Sequence, residues 1–472
     1  MFRFHWMIVI FLCYGTVAAA QATPEQEKSR TEIKTAYEKG DFDKCKELAT
    51  RALAANPKDH LALYFRASSR VELGFMKHDA AEVRSGIEDA RESLKIGGAG
   101  EINYYLPYLL GMITLANIEG KKEHATVALE IAKSVLDRKN LTPEQRANIL
   151  YQRASAHLYL SELNLAIEDF QAAIKSFPGH IGSYMQLAQC YIMADDVEKA
   201  LGAFTSAVEV FPNNPLAFNN RGLFLSQHNK PKEAIADFNK AIEIDGNFVL
   251  AYTNRGYTYQ GEGNLQLAEA DFTKALSLDP TNPLISSLRG SCRLSQGNTA
   301  GAIEDYNEAI RLIPENSVAR ADLGFAKFFS KDYAGASAAF EQSNQIDSVR
   351  MRYLSPWRAW SLVLAGKPDA VAPIAAISIK KTEKERDWID QQVLFLDGKI
   401  SEQEIVDIVG KTPEPKLKNA QLCEAYYFIG ERRSQADDKK NATAFYQLVL
   451  TTKETQLSAY RGAQFALQAF GK

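Results

Sequence analysis

The stretch "AFNNRGLFLSQHNKPKEAIADFNKAIEIDG" at 217–246 is followed at 251–280 by "AYTNRGYTYQGEGNLQLAEADFTKALSLDP", nearly the same phrase over again. Placing an alanine at the twentieth position of each unit extends this register without a gap through 147–180, 181–214, 215–248, 249–282, 283–316 and 317–350. A period of about 34 residues, held over consecutive units, marks an array in which each unit is one supersecondary element.

Inside a unit the apolar residues follow a helical spacing twice. Tyr184, Leu187, Ala188 and Tyr191 share one helix face, and Ala200, Phe204 and Ala207 share another. Small residues recur where two helices must approach: Gly222, Gly256, Gly290 and Gly324 on the first helix, Ala234, Ala268, Ala302 and Ala336 on the second. Rings recur beside them at Phe170, Phe204, Phe238, Phe272, Tyr306 and Phe340, giving the interdigitation of small and large that dense packing requires. Pro178, Pro212, Pro280 and Pro314 close their units because proline has no amide donor and clashes with the preceding turn; Gly246 closes its unit through conformational freedom.

This helix-turn-helix unit, with its period, resembles the tetratricopeptide repeat. That resemblance implies an all-α fold, an α-solenoid of stacked hairpins wound as a right-handed superhelix. One hairpin cannot bury its own apolar face, so the unit recurs to supply a neighbour. Weaker copies flank the regular array. Residues 23–140 read as irregular repeats, with Gly40, Ala52, Pro57 and Gly74 in their places and Cys45 at a small-residue position. Residues 351–472 begin with "PWRAWSLVLAGK", which lacks a clear second helix. Two helices of different design follow in "KTEKERDWIDQQVLFLDGK" and "SEQEIVDIVGK", then a divergent repeat at 423–456 and a terminal helix in "LSAYRGAQFALQAF". This C-terminal arrangement resembles bacterial envelope adaptors of the NlpI type.

Composition narrows the class. With 46% hydrophobic and 24% charged residues the chain has what a folded core needs, and a net charge of −3 with no basic patch speaks against nucleic acid and anionic membrane as partners. The N-terminal segment 1–22, "MFRFHWMIVIFLCYGTVAAAQA", reads as a signal peptide: an Arg, a short apolar run, then small residues suited to cleavage. Retention as an anchor is the alternative. The run is short for a membrane span, so no integral span is expected after cleavage, and the mature chain is expected to be periplasmic or secreted. Cys45, Cys190, Cys292 and Cys423 would then meet an oxidising compartment, but their spacing argues against pairing, and they read as buried free thiols.

The sequence offers little chemistry. The histidines beyond the signal share no face or spacing, and neither GxSxG nor a phosphate loop is present. Paired acids such as Glu304 and Asp305 read as solvated charge on outer helix faces. No enzyme activity, metal or cofactor is expected. Asn140 in "NLT" and Asn441 in "NAT" match glycosylation triplets, which arise often by chance.

In the tetratricopeptide family the first helices line a concave groove, and projecting that arrangement here selects Tyr151, Leu158, Tyr159, Met185, Ile192, Met193, Asn219, Leu223, Thr253, Tyr257, Ser287, Leu294, Ala321, Phe325, Phe328 and Phe329. This face is more apolar than a solvated one should be, as expected of a site for a peptide or protein segment. Asn220 and Asn254, at equal places in "NNRG" and "TNRG", each offer a donor and an acceptor to an extended backbone; bracing a neighbouring helix is the plainer role. Arg221, Arg255 and Arg289 recur where Leu187 and Leu323 stand, so their stems should pack and their heads reach acids. The expected function is a non-enzymatic scaffold or adaptor of the bacterial envelope that binds a protein or peptide, with a homodimer left open. The alternative is a carbohydrate-binding or structural scaffold using Trp357, Trp360 and Trp388.

Overall fold

The computed structural model describes residues 23–97, 101–379, 382 and 384–471; the segment read as an export signal lies outside them. Every regular element among the described residues is helical. The chain forms two compact units, one reaching to Phe224 and one running from Leu225.

The first unit holds α1 (Pro24–Glu38), α2 (Phe42–Ala55), α3 (His60–Lys77), α4 (Ala80–Gly97), α5 (Tyr105–Glu119), α6 (Lys122–Leu136), α7 (Pro143–Tyr159), α8 (Leu163–Ser176), α9 (Ile181–Met193) and α10 (Val197–Val210). The boundary falls within α11 (Pro215–Gln227). The second unit continues with α12 (Pro231–Ile244), α13 (Val249–Gly261), α14 (Leu265–Leu278), α15 (Pro283–Ser295), α16 (Thr299–Leu312), α17 (Ser317–Phe329) and α18 (Tyr333–Ile346). It ends with α19 (Ser355–Leu364), α20 (Ala372–Ile379), α21 (Trp388–Leu396), α22 (Glu402–Gly410), α23 (Pro415–Gln435), α24 (Lys439–Thr451) and α25 (Ser458–Ala469). From α9 to α18 the helices keep the period of the sequence: first helices begin at Ile181, Pro215, Val249, Pro283 and Ser317, each opening its unit, and second helices follow at a constant offset.

The turn inside each hairpin needs one left-handed residue, and it falls at the fifteenth place of the unit: Ser161, Asp195, Asn229, Gly263, Gly297 and Lys331. Glycine adopts that conformation freely, whereas Ser161 and Lys331 hold it against a steric cost of about 1–2 kcal/mol. Capping compensates. Asp196, Asn298 and Asp332 accept the backbone N–H three residues on, satisfying amides at the start of the second helix that the helix itself leaves unpaired.

Within the hairpins, Ala166, Ala200, Ala234, Ala268, Ala302 and Ala336 are wholly buried. The rings lie against the small residue at the eighth place. A Cβ added to Gly256 would come 2.9 Å from the Phe272 ring, and one on Gly290 would come 3.1 Å from Tyr306. In the first unit Ala154 and Ala188 take that place, with Phe170 and Phe204 as the buried rings. Cys45, Cys190, Cys292 and Cys423 are buried free thiols.

A charged contact recurs between the two helices. Arg255 grips Asp271 through Nε–Oδ2 at 2.8 Å and Nη2–Oδ1 at 2.7 Å; Arg153 holds Asp169 at 2.7 and 2.6 Å in the same pattern. Arg289 holds Asp305 likewise, at 3.0 and 2.7 Å, and in each case the partners are 16 residues apart. The carboxylates are buried, so Asp305 is an internal ion-pair partner and not the solvated outer acid that adjacency to Glu304 suggested. In the units at 181–214 and 317–350, Leu187 and Leu323 replace the arginine, and Ala203 and Ala339 replace the aspartate, all four buried. The same contact is thus made twice over, by a two-pronged ion pair or by a matched apolar pair. Arg255 Nη1 also reaches Asn239 Oδ1 at 2.6 Å, and Arg293 bridges Glu269 at 2.8 Å and Asp305 at 3.1 Å, so guanidinium groups tie the hairpins that open at Val249 and Pro283 to the ones before them.

The C-terminal segment packs on α17 and closes the core. Trp357 of α19 meets Phe325 at 5.1 Å and Phe328 at 5.4 Å between ring centroids, and stacks on Tyr427 at 5.2 Å. Phe465 of α25 covers Phe329 at 5.0 Å. Two carboxylates one heptad apart on α23 anchor the tryptophan N–H groups. Glu431 accepts Trp360 Nε1 at 3.0 Å and Tyr446 OH at 2.7 Å, and Glu424 accepts Trp388 Nε1 at 2.6 Å.

Two stability outcomes are expected, each read from chemical denaturation. Asp271→Ala leaves Arg255 without its partner and should cost about 2–3 kcal/mol, while the double change Arg255→Leu, Asp271→Ala, which copies the units at 181–214 and 317–350, should recover most of that loss. Ala268→Leu should cost about 1–3 kcal/mol by overpacking, whereas Gly202→Ala should gain up to about 1 kcal/mol, because Gly202 is an exposed helical glycine with open space around it.

Candidate binding surface

Pairing inside a hairpin uses one face of each first helix and leaves another free. In the second unit that free face carries large apolar side chains: Leu250 of α13 is 50% exposed, Leu284 of α15 is 58% exposed, and Val318 of α17 is 48% exposed. All three stand at the second place of their units, on first helices that contact one another in sequence order. Tyr257, two turns further along α13, is 61% exposed. No hairpin neighbour covers this row, and its regular spacing sets it apart from scattered surface hydrophobics.

The residues expected to line a groove divide into several groups. Tyr257 is open to solvent and Asn254 is part-buried on the same helix. Phe325 and Phe328 do not line an open channel: both are buried, because α19 lays Trp357 across them. In the first unit Tyr151 is buried against Phe170 and His180, at 5.5 and 5.0 Å between ring centroids. Asn219 is buried, and its amide donates to Asn220 Oδ1 at 3.3 Å. Asn220 Nδ2 in turn lies 3.0 Å from Met185 Sδ, a weak acceptor, so its main contact is a brace between α9 and α11. Tyr159, Met185 and Leu223 are part-buried, and Ile192 and Met193 at the end of α9 are exposed.

Leu250, Leu284 and Val318 were missed, although the signal was available. An aliphatic residue recurs at the second place of four successive units, Leu216 included. The groove expected from the sequence starts at the fifth place, so the first turn of each helix falls outside it.

The electrostatics of the two units differ. In the second, burial pushes the Asp322 carboxyl on α17 up to about 6, and the positive charge of Arg461 on α25 works against that rise. In the first, Glu72 on α3 is buried, and burial alone lifts its carboxyl to about 7. His180 is pushed down to about 4 by burial; its Nδ1 lies 2.8 Å from Ser183 Oγ and accepts the Ser183 amide, so the ring acts as a neutral cap for α9. The amide oxygens of Gln152 and Gln186, one repeat apart, are buried without a hydrogen-bond partner. Among the described residues no group of three or more His, Cys, Asp or Glu could hold a metal ion, and no helix is long and apolar enough to cross a membrane.

Comparison with known proteins agrees with the repeat register. Residues 151–215, 215–248, 249–282 and 287–316 match family models of the tetratricopeptide repeat, and two of these matches have the same limits as the units found by spacing. This part of the chain is built of tetratricopeptide repeats. No curated protein matches the chain. Among solved structures, the chain is similar to a tetratricopeptide repeat protein from Parabacteroides merdae, at 19% identity and a TM-score of 0.38, covering 51% of this chain and 93% of that one. It is also similar to PilF of Pseudomonas aeruginosa, at 18% identity and a TM-score of 0.37 over 45% and 95% of the two chains. A third is YrrB, described as a repeat protein with an unusual peptide-binding site, at 22% identity and a TM-score of 0.31 over 42% and 97%.

The Glu72 carboxyl makes stability depend on pH. Its folded value lies above the ordinary one, so the folded state holds the proton more tightly, and stability falls as pH rises from about 4.5 through about 7. Relative to Glu72→Gln, the wild-type chain should match at pH 4 and fall behind by on the order of 2–3 kcal/mol at pH 8, as read from denaturation midpoints across that range.

Proposed function

We propose that the protein is a non-enzymatic adaptor that binds a peptide or protein segment along the first helices of its repeats. One observation carries this: Leu250, Leu284 and Val318 form an exposed apolar row on three neighbouring helices, with Tyr257 beside it. A backbone already fixed in helices needs no further ordering when a ligand covers its side chains, and their regular spacing suits an extended or helical segment with apolar side chains at intervals. The repeat class supports the reading, since tetratricopeptide units generally serve protein–protein interaction.

Work in a bacterial envelope remains part of the proposal, supported by the apolar N-terminal stretch and by the NlpI-like order of elements after Trp357. The carbohydrate-binding alternative has less support. A sugar platform needs open rings, whereas Trp357 and Trp360 are buried and Trp388 is part-buried with its N–H held by Glu424.

Peptides selected by display on the chain lacking residues 1–22 should bind through this row. Leu284→Asp should weaken the selected peptides at least tenfold, about 1.4 kcal/mol, with the thermal melt unchanged, because Leu284 is mostly exposed. Undiminished affinity in Leu284→Asp and in Tyr257→Ala would remove the row from the binding site.

A further inference from the structure

The slot that Arg255 and Asp271 fill continues into a gap bordered by the second helix of the preceding repeat, where Arg255 also meets Asn239. Elsewhere in the regular array an arginine stands in or over this gap. Arg153 and Arg289 enter it toward Asp169 and Asp305. Arg221 lies over the Phe218 ring as Arg255 lies over Tyr252, at 6.0 and 5.6 Å from guanidinium carbon to ring centroid. In the repeat at 317–350, whose slot is apolar, Arg320 crosses the opening and donates to Gln342 Oε1 at 3.0 Å. The repeat at 181–214 contains no arginine.

At the same place in that repeat there is a cavity of about 230 Å³ between α8, α9 and α10, wholly within the first unit. Its lining matches the guanidinium site position for position. Leu187 and Ala203 stand where Arg255 and Asp271 stand, Gln171 where Asn239 does, and Tyr184 where Tyr252 does. Leucine and alanine are smaller than the arginine and aspartate they replace, so the contact between the helices is met while the space beyond it is left unfilled by the chain. Tyr184 meets Phe211 edge-on at 5.9 Å between ring centroids, and Gln171 Nε2 donates to the Tyr191 hydroxyl at 2.9 Å, so two of the lining side chains are held in place before anything enters. Tyr184, Leu187 and Ala203 are buried whereas Gln171 and Lys175 are exposed, which puts the polar residues at the mouth.

The charge of this site is reversed relative to its counterparts. No acidic side chain lines it, while Lys175 does, and Lys175 pairs with no acid among the described residues. A guanidinium arriving from outside would find no carboxylate and would meet the Lys175 ammonium. We propose that the cavity binds an aromatic carboxylate, either a free small acid or the carboxy-terminal aromatic residue of a peptide. The ring takes the place of the guanidinium plane beside Tyr184, and the carboxylate faces Lys175, with the Ser206 hydroxyl as a further donor. The size is sufficient: an apolar cavity of about 150 Å³ holds benzene, so about 230 Å³ admits a phenyl ring and a short chain beyond it. This site shares no residue with the apolar row of the second unit.

The test is a ligand-observed NMR titration of the wild-type chain with 3-phenylpropanoate and with Nα-acetyl-phenylalanine, each against its uncharged carboxamide. At least one carboxylate should bind about threefold or more tightly than its amide, as an ion pair near the surface allows, and the tighter of the two acids identifies the source. Lys175→Gln, at an exposed position, should bring that acid to the level of its amide with the thermal melt unchanged. Leu187→Arg with Ala203→Asp rebuilds the ion pair of the other repeats inside the cavity and should abolish binding of every probe; should that variant melt below the wild type, Lys175→Gln decides alone. Equal affinity for acids and amides, absence of binding by both acids, or acid binding undiminished in Lys175→Gln would overturn the site. None of those results bears on Leu284→Asp, so the peptide-binding reading stands or falls separately.

Discussion

In the six regular hairpins from α7 to α18, a bulky ring on the second helix rests where the first helix has nothing larger than a methyl group. Phe272 over Gly256 and Tyr306 over Gly290 leave no room for an additional carbon without displacement, and a wholly buried alanine recurs on the ring's own helix. That close approach sets the distance between the helices, and the distance fixes which side chains can reach across. The ion pairs, the buried thiols and the free face of the first helix all follow from it.

The Arg–Asp contact shows how one geometric slot accepts opposite chemistries. Arg255 and Asp271 fill it with charge, and Leu323 and Ala339 fill it with hydrocarbon, each pair complete in itself. A matched pair of either kind is satisfied, and only a mixture leaves something buried and unmet. The charged version adds a second link, because a guanidinium has donors to spare: Arg255 reaches Asn239 in the preceding hairpin as well. Units joined in this way gain a directional tie where hydrocarbon supplies only bulk contact.

Much of the architecture was legible because it repeats. The period, the small residues, the rings and the role of the arginines came directly from residues recurring at fixed intervals, and the helices start where that period places them. What recurrence cannot show is what lies on top of a residue. Phe325 and Phe328 share a register with exposed Tyr257 or stand one turn from it, yet Trp357, a ring with no counterpart at its place in the regular units, covers them from the helix that follows the array. Asp305 likewise looked like half of an exposed acidic pair until its arginine, 16 residues back, was seen to hold it. The left-handed residues themselves were hidden, since Ser161 and Lys331 carry none of glycine's signature.

The matched couplings also bear on how such a chain can lengthen. Both members of each Arg–Asp or Leu–Ala pair fall inside a single repeat, so copying a whole repeat transmits the pair intact. A genetic crossover between hairpins therefore keeps every such pair, while one landing between residues 255 and 271 with a Leu–Ala repeat would join the charged half of one version to the hydrocarbon half of the other. Exchange between the two versions keeps the pairs matched only at the junctions between repeats, a grammar of breakpoints imposed by what each half of a hairpin demands of the other.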